Sequence, residues 1–254
     1  MMTSNYMKNF GGWRKQSGVS LVELMIAVAI GLILITVIAN VYLAGRQSFR
    51  DQDESARLQE TGRFVLDTIS RVVLEAGRAD VAPNNTVLTF AGLPVAGLAI
   101  DGVAGAGAAA DSLTIRFASA TPGELDCLGT GTGGTAAVPV VVTQILAFDG
   151  VDNELECSVN GGAAQPLASN VEDFQVTFGV DTNGDGAVNQ YVAPSAANAP
   201  ATLAVRMCIL VTTADNMAPA AQSFVNCNGA VVVAADRRIR RAFSKVIGLR
   251  NRLG

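Results

Sequence analysis

The stretch of sequence that decides the fold is GVSLVELMIAVAIGLILITVIANVYLAG, residues 18–45. The 22 residues from Leu24 to Gly45 contain no charged side chain. As a helix they extend roughly 33 Å, which is enough to cross the hydrocarbon core of a bilayer. Aliphatic residues occur on every face, and the preceding leader has three basic and no acidic residues. Both features favour a membrane helix over the buried helix of a soluble core.

A single acid, Glu23, lies at the start of this apolar run. A carboxylate in hydrocarbon costs about 3 kcal/mol on insertion scales, so we expect Glu23 to have a partner or a function. Gly18 precedes the apolar run, whereas a secretory signal places its cleavage site after an apolar core of roughly 7 to 15 residues. The order of these features therefore differs from that of an ordinary secretory signal.

The segment GVSLVELMIAVAIGLIL, residues 18–34, resembles the prepilin signature of type IV pilins and type II secretion pseudopilins. The resemblance implies that prepilin peptidase cleaves after Gly18 and methylates the new amino group of Val19, although valine departs from the usual phenylalanine or methionine. Glu23 is then the fifth mature residue. Its carboxylate can pair with the Val19 ammonium of a neighbouring subunit and so set the register of assembly. The alternative is a Glu23 that stays solvated among lipid headgroups.

Beyond Arg46 the sequence becomes charged, and apolar residues recur at helical spacing: Leu58, Val65, Ile69, Val72 and Ala76. No proline occurs between Val19 and Ala82, so one long helix is predicted over residues 19–79. Its segment 24–45 is expected to span the membrane and its segment 46–77 to be amphipathic, with Gly77 as the stop. Residues 1–18 form the leader.

Residues 80–254 contain short β-prone runs that are separated by turn residues, which predicts an antiparallel sheet. The fold class is therefore α+β, with a long N-terminal helix followed by a β-rich globular domain, as in pilins. The expected strands are residues 86–90, 112–117, 138–143 and 174–178.

The composition disfavours an enzyme, because the chain has no histidine. This removes the usual general base, the Ser-His-Asp and Cys-His arrangements and histidine-based zinc sites. Between residues 19 and 235 there are eight basic and 21 acidic side chains, whereas seven basic residues lie between Arg237 and Arg252. We interpret this basic end as solvated arginines around a last strand with Ile239, Phe243 and Ile247, or as a contact for acidic neighbours; a nucleic-acid patch is disfavoured.

All four cysteines lie beyond the membrane helix, whose basic leader should stay in the cytoplasm. This places them in the periplasm, where disulfides form. Of the three possible connectivities we favour Cys127 with Cys157 and Cys208 with Cys227. Free buried cysteines are the alternative, and the spacing is unlike that of a four-cysteine metal site.

The sequence DTNGDGAVNQY, residues 181–191, is similar to the start of a calcium loop. Asp181, Asn183 and Asp185 offer oxygen ligands at alternate positions, and Asn189 offers another. The twelfth position is Val192, where an EF-hand has a bidentate glutamate. Calcium is therefore an optional ligand and no cofactor is required. A tight turn between two strands explains the same residues without metal.

Strings along the chain also resemble PilW-type minor pilins: residues 58–78, 127–129, 154–157, 170–186, 204–211 and 249–252. The resemblance implies a non-enzymatic minor pilin that is incorporated in the type IV pilus or primes its assembly. Its expected partners are other minor pilins, the major pilin, prepilin peptidase and the inner-membrane assembly platform. Its expected location is the inner membrane, as a single-pass protein with a periplasmic domain, and then the fibre at the cell surface.

Three alternatives remain open from the sequence. The first is a minor pseudopilin of type II secretion, which belongs to the same superfamily. The second is a pilus subunit with an adhesive or DNA-binding role, and the third is an enzyme anchored by one helix. Removal of the leader separates the third from the others.

Overall fold

The computed structural model describes residues 18–78, 99–106, 109–135 and 137–252. The leader and the strand expected at residues 86–90 lie outside these ranges, except for Gly18. The fold class is the expected one: one long helix, α1 (Leu21–Leu74), is followed by antiparallel β-sheets. The chain divides after Phe49 into two compact units. We call residues 50–254 the head.

Helix α1 is 54 residues long and contains no proline, so its backbone hydrogen bonds run uninterrupted. It ends at Leu74, five residues before the predicted end at residue 79, and the next residues form a turn. Gly77 has φ of 71°, which a side chain disfavours, and its N–H donates to the carbonyl of Arg116. Gly77 therefore directs the chain from the helix onto the sheet.

The head contains two larger sheets and a short hairpin. Sheet 1 is a meander whose strands pair in chain order: β1 (Ile100–Val103), β2 (Ser112–Ser119), β3 (Val140–Asp149), β4 (Glu154–Val159) and β5 (Gln165–Ser169). Sheet 2 has the order β11-β8-β6-β7: β6 (Val171–Val180), β7 (Gln190–Val192), β8 (Thr202–Thr212) and β11 (Arg240–Gly248). The hairpin consists of β9 (Ser223–Val225) and β10 (Val231–Val233).

Three of the predicted strand segments are found. Residues 112–117 lie in β2 and residues 174–178 in β6, while β3 begins at Val140, two residues later than expected, and continues to Asp149. Pro139 directly precedes β3 and has no N–H to contribute to a strand ladder. The last strand predicted around Phe243 and Ile247 is β11.

One hydrophobic core joins the helix to both sheets. The predicted stripe of α1 is buried, and alternate residues of the strands face it, as the two-residue period of a strand requires. The buried side chains of β6 illustrate this pattern: Phe174, Val176, Phe178 and Val180. Because the core takes residues of α1 only from Leu58 onward, the head holds a complete core of its own.

The buried Asp111 closes an open edge of sheet 2. Strand β7 pairs with Phe178–Val180, and within the described ranges no strand pairs with the earlier part of β6 on that side. The Asp111 N–H donates to the carbonyl of Phe174 at 2.8 Å, and its Oδ2 accepts the N–H of Val176 at 2.7 Å. Its Oδ1 accepts the N–H of Gly105 at 2.8 Å, which ties β6 to the β1–β2 connection. A buried carboxylate thus joins the two sheets.

Gly62 allows α1 to approach β11 closely. A Cβ atom at this position would lie 2.4 Å from ring atoms of Phe243, far inside van der Waals contact. Further along the helix, Asp67 Oδ1 lies 3.7 Å from Nζ of Lys245, which belongs to β11. The glycine therefore permits the helix to pack on the phenylalanine ring.

Two disulfides brace the head. Cys127 is bonded to Cys157 of β4, and Cys208 of β8 is bonded to Cys227 of the hairpin. These are the pairs that we favoured from the sequence. Cys157 is fully buried in the core, whereas Cys208 is only partly buried. The first bridge therefore belongs to the core and the second holds the hairpin on sheet 2.

Replacement of Gly62 by alanine tests the helix–sheet contact. In an ordinary helix interior this change stabilises by roughly 0.5–1 kcal/mol. Here we expect Gly62→Ala to lower the free energy of unfolding of the head by about 1–3 kcal/mol, because the methyl group overpacks against the ring. In a Phe243→Leu background the penalty should shrink, and urea denaturation of all four proteins measures this coupling. A Gly62→Ala head that is more stable than wild type would contradict the packing.

Replacement of each cysteine pair by serine tests the disulfides. We expect each double variant to lose about 2–4 kcal/mol of unfolding free energy, because the open chain gains entropy on unfolding. The loss should be larger for Cys127→Ser/Cys157→Ser, since a serine hydroxyl at position 157 is fully buried. Urea denaturation measures the loss of unfolding free energy, and peptide mapping without reduction checks the two disulfide pairs. Equal stability of the oxidised and reduced wild-type head would contradict them.

Candidate functional site

The predicted processing and assembly residues lie at the start of α1. Gly18, Val19 and Ser20 precede the helix, and the Leu24 N–H donates to the Ser20 carbonyl at 3.1 Å. Glu23 lies in the first turn, where a negative charge is favoured beside the free N–H groups of a helix N-terminus. Val19 and Glu23 are exposed and four residues apart. A cut after Gly18 would therefore create an ammonium group close to the helix start.

Glu23 has no basic partner within the described ranges. The side chains that surround it along the helix are aliphatic, such as Leu24 and Val22. In water this leaves an ordinary solvated carboxylate, but in lipid or among packed helices a lone charge is expensive. A partner for Glu23 must then come from outside these ranges or from another chain.

The first half of α1 presents an apolar surface that the protein does not bury. An 18-residue window of the helix has a mean hydropathy of 2.8, and none of it is buried. Every large hydrophobic side chain from Val19 to Leu43 exposes more than half of its surface. Such a continuous apolar surface requires lipid or other helices to cover it.

The proposed calcium loop is a set of side-chain-to-backbone turns. Asp181 Oδ1 accepts the N–H groups of Asn183 and Gly184 at 3.1 and 2.7 Å, and its Oδ2 accepts that of Gly186 at 2.8 Å. These bonds lower the pKa of Asp181 below its usual value. Asp185 Oδ1 likewise accepts the Ala187 N–H at 2.8 Å. The turn is therefore satisfied by the loop's own backbone.

Two further positions of the proposed calcium loop, Asn189 and Val192, have other partners. Asn189 Oδ1 accepts the Thr182 N–H at 2.9 Å, and Val192 belongs to β7, where it pairs with Phe178. Within the described ranges, no group of three or more His, Cys, Asp or Glu side chains is arranged to hold a metal ion. A cation in this loop would depend on Asp181 and Asp185 together with amide and carbonyl oxygens.

The basic end is partly neutralised by the head's own acids. Arg240 Nε lies 2.6 Å from Glu172 Oε2, and Arg240 Nη1 lies 2.6 Å from Asp236 Oδ1. The hydrogen bonds from Arg240 hold the pKa of Asp236 well below its usual value. The Arg240 guanidinium also lies 5.4 Å from the centre of the Phe224 ring, which links the network to the hairpin.

Sequence patterns missed this network, because 68 residues separate Arg240 from Glu172 and only the pairing of β6, β8 and β11 brings them together. Arg238 also pairs with Glu172, and Lys245 pairs with Asp67. In the part of the chain that the structure describes, Arg237, Arg241 and Arg250 remain exposed without an acidic partner. The basic end is thus a braced strand with a few free charges.

Comparison with known proteins gives two family matches. The family model described as the prokaryotic N-terminal methylation motif matches residues 13–39. The family model described as Type IV Pilus-assembly protein W matches residues 142–251, which covers β4–β11 and most of β3. Among solved structures, the type IV-like pilin TTHA1219 from Thermus thermophilus is similar, with 14% identity and a TM-score of 0.48. That alignment covers 77% of this chain and 98% of the other. No curated protein matches the sequence.

The two family matches fall on the two parts of the chain that the geometry separates. The methylation motif covers Gly18, Val19 and Glu23 at the start of an exposed apolar helix. The second match covers the strands of sheet 2, the hairpin and the Cys208–Cys227 disulfide. The chain is therefore a type IV pilin-like protein, PilW-like over residues 142–251 and with an N-terminal methylation motif over residues 13–39.

Proposed function

We propose that this pilin is a minor pilin that is incorporated in the type IV pilus or primes its assembly. The observation that carries the proposal is the apolar, exposed first half of α1 with Glu23 at its start. A helix of this kind is stable in a membrane and can be transferred into a bundle of similar helices without exposing its surface to water. The proposed function is therefore structural and not enzymatic.

Processing follows from the same segment. Prepilin peptidase cleaves between Gly18 and Val19 in this proposal and methylates the Val19 nitrogen. Gly18 is exposed and a side chain at its position would contact nothing within 4 Å, so a peptidase can reach the bond. The new ammonium of one subunit then neutralises the Glu23 carboxylate of its neighbour, because an unpaired charge is expensive among packed helices.

The proposed location is the inner membrane, with a single pass and the head in the periplasm, followed by the fibre at the cell surface. The basic leader supports a cytoplasmic N-terminus. The two disulfides support an oxidising compartment for the head. The proposed partners are other minor pilins, the major pilin, prepilin peptidase and the inner-membrane assembly platform.

Substitutions at Gly18 and Glu23 separate processing from assembly. We expect the wild-type protein to begin at Val19, as intact-mass analysis of membranes can show. Gly18→Val should retain residues 1–18, because a branched side chain beside the cleaved bond hinders the peptidase. A Cβ atom at this position meets no described atom within 4 Å, so the change should not disturb the described part of the chain. Glu23→Ala should be processed normally but reduce surface pili, because the ion pair with the neighbour is lost.

Thr36→Ala is the matched control for Glu23→Ala. Thr36 is also a polar residue of the apolar helix, but its hydroxyl donates to the Leu32 carbonyl of the same helix at 2.8 Å. The Thr36→Ala protein should assemble like wild type.

Loss of protein secretion with normal pili in a deletion strain would indicate a type II pseudopilin. Normal pili, twitching and secretion in that strain would contradict a role in assembly.

We also propose that the Asp181 loop binds calcium weakly, with a dissociation constant on the order of 0.1–1 mM, because it lacks a closing carboxylate. The partly exposed Asp181 and the exposed Asp185, with Asn183 between them, support this. Calcium should raise the melting temperature of the wild-type head. Asp185→Asn keeps an oxygen acceptor for the Ala187 N–H but removes the charge, so it should abolish the rise. Identical wild-type melting in calcium and in chelator would leave only the turn.

A further inference from the structure

A group of buried oxygens lies where α1 ends on sheet 1. Glu75 directly follows the last helical residue, and its half-buried carboxylate accepts a hydrogen bond from Gln144 Nε2 at 3.3 Å. Gln144 lies in β3 and is fully buried. The connection between β2 and β3 contributes Glu124, whose Oε1 pairs with Arg78.

Two acceptors in this group have no donor in the part of the chain that the structure describes. They are Gln144 Oε1 and Glu124 Oε2, and both atoms are inaccessible to solvent. Buried polar atoms are nearly always hydrogen-bonded, because desolvation without a partner is costly. Two unsatisfied oxygens, one of a carboxylate and one of an amide, beside the Glu75 carboxylate therefore indicate a missing donor.

Glu75 is faced by two acids and one arginine. Glu124 and Asp126 approach it from the β2–β3 connection, and Arg78 approaches from the turn after the helix. Arg78 already pairs with Glu124, so it neutralises only part of the negative charge. Burial is the largest effect and raises the pKa of Glu75 above its usual value. Arg78 and the hydrogen bond from Gln144 lower this pKa, whereas Glu124 and Asp126 raise it, and the net shift is upward.

We propose that Glu75 binds a proton more readily in the folded head than in the unfolded chain and donates it to one of these two buried acceptors, so that the attachment of α1 to sheet 1 strengthens as pH falls. The proton supplies the missing donor and removes a charge from an acidic group. Hydrogen bonds to backbone carbonyls hold the chain on both sides of Glu75. The Gly77 N–H donates to the Arg116 carbonyl in β2 of sheet 1, and the side chain of Asn251, which follows β11, donates through Nδ2 to the carbonyls of Leu74 and Ala76.

The direction of the pH effect follows from linkage. A folded-state pKa above the unfolded value means that the folded head binds the proton more tightly. The stabilisation is complete below the unfolded pKa of Glu75 and is lost as pH rises through the folded pKa. A single proton changes the unfolding equilibrium constant by up to about tenfold per pH unit in this window.

Urea denaturation of the oxidised head between pH 4.5 and 8 tests the proposal. The head is suitable because every residue of the core lies within residues 50–254. Glu75→Gln mimics the protonated acid, since its amide keeps an acceptor for Gln144 and adds a donor. We expect this variant to be more stable than wild type at pH 8 and to show a weaker dependence on pH.

Glu60→Gln is the matched control, because Glu60 is an exposed glutamate of the same helix without an ion pair in the described ranges. It should retain the wild-type dependence on pH. Asp173, whose pKa burial also raises, contributes equally to all three proteins and cancels in the comparison. An unchanged pH dependence in Glu75→Gln would overturn the proposal and assign the missing donor to bound water.

A direct titration does not require any variant to fold. In ¹³C NMR, the Glu75 carboxyl resonance should titrate at a higher pH in the folded wild-type head than in the urea-unfolded head. Equal midpoints in the two states would overturn the proposal independently of the stability measurements. The result does not depend on the role of the protein in pilus assembly.

Discussion

From Val19 to Leu43 the large hydrophobic side chains of α1 expose more than half of their surface, because the core of the head takes side chains from the helix only from Leu58 onward. The protein thus contains a long apolar surface that it does not cover. A bilayer or a bundle of equivalent helices can cover this surface, since both replace water with apolar contacts. The rest of the molecule is organised as a folded head on this helix's second half.

Within the head, the second half of α1 is packed against other elements, unlike the exposed first half. Its apolar stripe is buried against both sheets, and Gly62 lets the backbone come close to Phe243. Two long-range links then hold the β1–β2 connection and the hairpin on the strands of this core. Asp111 joins the β1–β2 connection to β6, and Cys208–Cys227 joins the hairpin to β8. The head is therefore braced by polar and covalent links as well as by its core.

The charges follow the same division. Acidic side chains of the head neutralise much of the basic C-terminal stretch, since Glu172 and Asp236 surround Arg240. Around Glu75, in contrast, two acids and one arginine face the carboxyl group, and two buried oxygens have no donor among the described residues. The two groups differ because Arg240 pairs with an acid on each of two sides, whereas Arg78 pairs with Glu124. The acids around Arg240 are thus paired, whereas the group around Glu75 still has buried oxygens without a described donor.

The sequence by itself determined the long helix, its apolar first half, its buried stripe and three of the β segments. These features depend on local periodicity and on the absence of proline, which neighbouring residues alone can satisfy. It also favoured both disulfide pairs that the structure contains. The methylation motif with Gly18, Val19 and Glu23 is likewise a continuous segment, so no folding is needed to recognise it.

Only the tertiary structure decided which distant residues meet. The split of the strands into two sheets places Asp111 beside β6 and Glu172 beside Arg240, although these partners are 65 and 68 residues apart in sequence. The contact of Gly62 with Phe243 and that of Glu75 with Gln144 depend equally on how α1 lies on the strands. No local pattern encodes such contacts, because they arise from strand register and helix packing, which the whole core sets together.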